Sequence, residues 1–164
     1  MFKSNKAQNL IQNGNFESYV NTSFCSNGDI SVVNNWSSIA SSDYYNSVCN
    51  NNYYGTPLNY FGNCNAFSGN GYAGLGVFNR SNELKEYLYQ HLNSVLITGK
   101  TYYTSFYLSR SDKVTYSINN IGVYFTTAQP NSSFLYIAAL PQIENQTGFL
   151  TDTIGWTKIE GYFK

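Results

Sequence analysis

The sequence predicts an all-β fold, an antiparallel β-sandwich or jelly roll, and three observations carry that reading. Short aromatic and β-branched runs recur along the chain, Gly, Asn, Ser, Asp or Pro separates them, and no long window repeats apolar residues at helical spacing. Several short strands divided by turn residues are the pattern of sandwiches and jelly rolls. At 164 residues the chain can bury a sizeable core and reads as one domain, 1–164, with no internal repeat and no linker.

The first element is NLIQNGNFESY, residues 9–19. Leu10 and Ile11 read as a short strand, and Asn13-Gly14-Asn15 as the turn that ends it, because Gly accepts positive φ without steric cost and Asn tolerates it. Glu17 then follows a turn rich in carbonyls, which is one way to build an oxygen-lined site for a hard cation such as Ca²⁺; an exposed carboxylate beside an ordinary turn is the other reading. Residues 18–70 are rich in Asn, Ser, Tyr and Gly and read as long loops over one end or face, apart from a strand at ISVVNNW, 30–36. The aromatics in DYYN (43–46), NNYYG (51–55) and LNYFG (58–62) argue for order there, since disordered segments are poor in such residues. Strands are then expected at YAGLGVF (72–78), EYLYQHL (86–92), TYYTSFYLS (101–109), NIGVYF (120–125), FLYIAAL (134–140) and WTKIEGYF (156–163). The last alternates, with Trp156, Lys158, Glu160 and Tyr162 on one face and Thr157, Ile159, Gly161 and Phe163 on the other.

Composition excludes several classes of function. Nine Lys and Arg balance nine Asp and Glu, and charged residues are only 11% of the chain, so there is no basic face for nucleic acid. No stretch approaches the roughly 18 apolar residues of a membrane span. The N-terminal MFKSNKAQNL has no apolar core of a secretory signal. Aromatics are 18% of residues, with 16 Tyr, more than a core of this size needs, so several rings are expected at the surface.

Chemistry-bearing residues are sparse. The single His91 lies in a strand pattern without a spaced Ser or Cys partner, and the carboxylates are scattered, so the chain reads as non-catalytic. Cys25, Cys49 and Cys64 match no zinc spacing. A Cys25–Cys49 disulfide would close a loop worth about 3 kcal/mol in the chain-entropy model; in a reducing compartment all three would be thiols. Sequons at Asn21, Asn35, Asn79, Asn131 and Asn145 are read as accidents of an Asn- and Ser-rich composition. Sugar binding needs aromatic faces for pyranose CH groups and amides or carboxylates for the hydroxyls. Residues 43–65 supply both in Asp43, Tyr44, Tyr45, Asn46, Tyr53, Tyr54, Asn59, Tyr60 and Asn65, although such rings also serve to pack long loops onto a sandwich.

The order NLIQNGNFE, Trp36, DYYN with Cys49 close behind, TPLNYFG, SGNGYAGLGVF, EYLYQHLNSVLITGKTYYTSFYLSRSD, YSINNIGVYF and PQIENQTGFLTDTIGWTKIEGYF resembles a β-sandwich module of secreted and surface proteins of Bacteroidetes. Its opening is similar to that of carbohydrate-binding jelly rolls of the galactose-binding-like type. The resemblance implies a surface module that binds a glycan or surface polysaccharide. It also implies a structural Ca²⁺ held by Glu17, with Asn15 and Glu160 as further ligands. In that module another strand follows the one at 156–163, which would leave this edge open to self-assembly or to another protein. With no signal peptide in the chain, the alternative expectation is a phage virion structural or decoration protein using the same jelly roll.

Overall fold

The computed structural model describes residues 7–78, 85–130 and 137–164. Among these, helix is confined to one α-turn at Phe24–Asn27 and one 3₁₀ turn at Ile30–Val32. The strands are β1 Ser37–Ile39, β2 Asp43–Asn46, β3 Leu58–Asn59, β4 Gly62–Asn63, β5 Gly71–Gly74, β6 Tyr87–Tyr89, β7 Tyr102–Leu108, β8 Gly122–Val123, β9 Ile143–Glu144 and β10 Thr157–Phe163. The all-β expectation therefore stands.

The strands pair as five two-stranded antiparallel ladders, and the pairs are nested. β3 with β4 lies inside β2 with β5, which lies inside β1 with β6; β8 with β9 lies inside β7 with β10. Each nest sets one antiparallel pair within another. The longest ladder, β7 with β10, runs from Thr157 opposite Leu108 to Phe163 opposite Tyr102. Its alternation follows the sequence: Ile159 is buried while Lys158, Glu160 and Tyr162 face solvent.

Two apolar clusters hold the nests. The first is Phe24, Ile30, Val33, Tyr44 and Cys49, flanked by Phe16, Tyr19, Trp36 and Leu88. The second is Ile143, Leu150 and Ile159, flanked by Phe106, Leu108, Ile118, Ile121 and Phe163. Thus 18–70, expected to drape as loops, carries β1–β4 and a whole core cluster. The physical reason is the satisfaction of its polar atoms. Fully buried Tyr44 donates its hydroxyl to the Phe16 carbonyl at 2.6 Å and accepts from the Asn46 amide at 2.7 Å, so its ring can pack edge-on against Phe24.

Four local expectations change. Residues 30–36 begin as a 3₁₀ turn, because the Asp29 carboxylate caps Ser31 N–H at 2.8 Å, and Asn35 turns the chain at φ 68°. The strand expected at 9–11 forms no ladder; instead Gln12 N–H meets the Gln90 side chain and the Leu10 carbonyl takes Asn93 N–H. The 13–16 turn is present, with Phe16 N–H on the Asn13 carbonyl at 3.0 Å, yet the left-handed residues are Asn13 (φ 48°) and Phe16 (φ 62°) rather than Gly14. Of the strand expected at 134–140, residues 134–136 lie outside the described residues, as do the sequons at Asn79 and Asn131; residues 137–140 are not strand, and pairing resumes at β9.

Cys25 and Cys49 form a disulfide with Cα atoms 5.2 Å apart, and Cys64 is a free thiol. The bond is compatible with an oxidising, extracellular setting. No helix among the described residues is long and apolar enough to cross a membrane.

Replacing Tyr44 by Phe should keep the ring and strand the two polar partners. The expected loss is roughly 1–3 kcal/mol of unfolding free energy, read from urea denaturation; an unchanged midpoint would show that the hydroxyl is dispensable.

Candidate functional site

The most distinctive surface of the molecule is aromatic and is built outward from β2. Pairing with β5 sets Asp43 opposite Gly74 and Asn46 opposite Gly71. These glycines make room for the tyrosines: a Cβ at Gly74 would lie 2.5 Å from the Tyr45 ring, and one at Gly71 2.5 Å from the Tyr44 hydroxyl. Gly28 does the same for the floor, since its φ is 72° and a Cβ there would meet Tyr54 at 2.4 Å and the Asp43 carboxylate at 2.5 Å.

The loop after β2 is positioned by the disulfide and by Asn51. Its amide donates to the Cys25 carbonyl at 2.9 Å, and its side-chain oxygen accepts from Tyr53 N–H and Tyr54 N–H, both at 2.9 Å. Tyr60 N–H then bonds the Tyr53 carbonyl at 3.0 Å. Tyr60 and Phe61 form the two-residue tip between β3 and β4, where Asn59 faces Gly62. Buried Asn59 fixes that tip, donating to the Tyr72 hydroxyl at 2.7 Å and accepting from Phe61 N–H at 3.0 Å.

The result is an exposed shelf of rings. Tyr53 and Tyr60 stack at 6.4 Å and 15°, and Phe61 stands edge-on to Tyr60 at 5.1 Å. Tyr53 is 62% exposed, Tyr60 61% and Phe61 43%, so these faces meet solvent. Beside them lies a groove of about 370 Å³ lined by Asp43, Tyr45, Tyr53, Tyr54, Tyr60 and Phe61. A smaller, polar depression of about 220 Å³ opens along Ser47, Asn50, Asn51, Asn52 and Thr56.

One carboxylate enters the larger groove. Asp43 accepts the Tyr45 hydroxyl at 2.9 Å. Partial burial raises the Asp43 pKa, the Tyr45 hydrogen bond opposes that rise, and Glu86 adds to it. The Tyr45 phenol is pushed well above the usual tyrosine range, first by burial and then by Asp43, so it stays a neutral donor.

The sugar-contact residues expected from sequence divide into two groups. Tyr53, Tyr54 and Tyr60 border the groove with Asp43; Tyr45 also lines it but is only 2% exposed. Tyr44, Asn46 and Asn59 are instead buried and spend their polar atoms internally, so they are scaffold and not contacts. Asn65 is exposed, and its carbonyl accepts the Trp156 indole N–H at 3.0 Å. Phe61 was missed; the two-residue loop ahead of Gly62 is the pattern that marks it.

The proposed cation ligands have different partners. Glu17 accepts Asn70 N–H at 2.7 Å, Gly71 N–H at 3.0 Å and the Asn70 amide at 3.1 Å. Both its oxygens thus face donors, and the carboxylate staples the first turn to the start of β5. Glu160 is engaged by Lys158 and the Tyr103 hydroxyl, which hold its pKa down. Asn15 is exposed at the turn. Among the described residues no group of three or more His, Cys, Asp or Glu is gathered to hold a metal, and His91 is exposed.

No family model, curated protein or solved structure matches this chain.

As a staple, Glu17 replaced by Ala should cost about 1–3 kcal/mol of stability, with the wild-type melting temperature indifferent to chelator. A chelator-dependent fall in wild type would give Glu17 to a cation instead. For Asp43, a raised folded pKa means a stability contribution present below the unfolded value and lost as pH rises through the folded one. Asp43→Asn should therefore melt slightly higher than wild type at neutral pH, with the gap closing in acid.

Proposed function

We propose that the chain is a non-catalytic surface module that binds a glycan or surface polysaccharide through the ring shelf of Tyr53, Tyr60 and Phe61. The observation that carries this is the parallel, solvent-facing pair Tyr53 and Tyr60 at the rim of a groove holding one carboxylate. Two such faces offer a pyranose its CH contacts, and Asp43 in the groove with the exposed Asn50 and Asn52 amides of the smaller depression offers acceptors and donors for hydroxyls. The rings belong to short, tied loops, so little ordering entropy opposes binding. The resemblance to Bacteroidetes surface modules and galactose-binding-like jelly rolls supports the same reading. So does the nested strand pairing, the connectivity of a hairpin folded over on itself.

A second reading is favoured by β10. Its one ladder among the described residues is with β7, and a strand edge without a ladder is where a neighbouring copy or another protein can pair. On that reading the module is a structural or decoration subunit of a phage virion.

Tyr53→Ala and Tyr60→Ala should each weaken binding to a soluble polysaccharide panel by roughly 2- to 10-fold, the worth of one ring contact, without changing the melting temperature. Unchanged binding in both removes the shelf as the site. A defined oligomer by light scattering, lost when Lys is placed along the β10 edge, would move the balance to assembly.

A further inference from the structure

The geometry points to an alkylammonium group, the cationic substituent of a glycan or polymer, as what the larger groove takes. This rests on the glycan reading, because it places the ligand in the same groove, and it goes further by naming the charge. Five of the six lining residues are aromatic, Tyr45, Tyr53, Tyr54, Tyr60 and Phe61, and the sixth is Asp43. An aromatic face attracts a cation through its quadrupole, and several faces around one site select alkylammonium over neutral groups. Neutral sugar needs one or two faces and a spread of hydrogen-bond partners; a ring-lined groove with a single carboxylate is the complement of a positive charge with an apolar shell.

The rings come in two near-parallel pairs that share the groove with the carboxylate. Tyr45 and Tyr54 are near parallel at 6.4 Å and 19°, and Tyr53 and Tyr60 repeat that relation at 6.4 Å and 15°. The Tyr45 hydroxyl orients the Asp43 carboxylate without neutralising it. Glu86 adds negative potential at Asp43. Lys113, at the hairpin tip, is not part of the lining; its ammonium is held by the carbonyls of Asn59 at 3.2 Å and Tyr60 at 3.0 Å.

The test is calorimetric titration of the whole chain with choline, with glucosamine, and with their neutral counterparts 3,3-dimethylbutanol and N-acetylglucosamine. The expected result is saturable binding of at least one cation, about ten-fold tighter than its neutral counterpart, lost in Asp43→Asn and in Tyr60→Ala. Preference for choline over glucosamine would assign a quaternary ammonium, and the reverse an amino sugar. Tyr60, at the exposed tip, keeps the test open if Asp43→Asn does not fold. Neutral sugar bound as tightly as its amine, with Asp43→Asn unchanged, would overturn the cation inference and leave the glycan reading standing. Binding of none of the four, together with none in the polysaccharide panel, would overturn both.

Discussion

The buried hydroxyl of Tyr44 is the constraint on which the first nest depends. A phenol placed in an apolar core must find partners or cost the full penalty of an unpaired polar group. Tyr44 finds the Phe16 carbonyl on one side and the Asn46 amide on the other, and burial pushes its pKa up to about 12, so it remains the neutral hydroxyl that donates to the first and accepts from the second. Its partners propagate the constraint. Asn46 holds Val48 N–H at 3.0 Å, next to the disulfide, while Phe16 stacks on Trp36 at 4.8 Å. Trp36 in turn donates its indole N–H to Asn13 at 2.9 Å. The opening turn, β2 and the disulfide loop are therefore positioned together, and the ring shelf stands on that base.

The second nest braces the shelf from behind. The Ser111 hydroxyl donates to the Phe61 carbonyl, Asn63 N–H reaches Asp112 at 3.2 Å, and Lys113 holds the carbonyls of Asn59 and Tyr60. Phe67 stacks on Tyr107 at 3.7 Å, and Trp156 meets Tyr72 edge-on at 5.4 Å. These contacts link β3–β5 to the β7–β10 ribbon through side chains, with no shared ladder. A hairpin tip held on both sides can keep large rings exposed without letting them collapse inward, which a binding surface requires and a free loop does not provide.

Much of the second nest was legible from pattern. β10 follows the alternation of its sequence, because a half-buried antiparallel strand repeats every two residues and that period is visible in one dimension, and β7 was marked by its aromatic run. Residues 43–62 were legible as aromatic and ordered, but not as core. Tyr44 and Tyr45 are chemically identical in sequence. Which one enters the apolar cluster and which lines the groove follows from what packs on each face of the β2–β5 ladder, since neighbouring strand residues point to opposite faces. The role of Glu17 was hidden for the same reason, since its donors are at Asn70 and Gly71, far along the chain.

By itself, the sequence determined the all-β character, the lack of a spanning helix among the described residues, the existence of the 13–16 turn, and the neighbourhood in which exposed rings occur. Those properties depend on composition and on contacts between near neighbours. Only the tertiary structure decided that Cys25 pairs with Cys49, that Asn46 and Asn59 are scaffold, and that Asp43 is the carboxylate sharing a groove with Tyr45, Tyr53, Tyr54, Tyr60 and Phe61. The reason is that burial and hydrogen-bond satisfaction are settled between residues tens of positions apart. Such pairings leave no period in the chain.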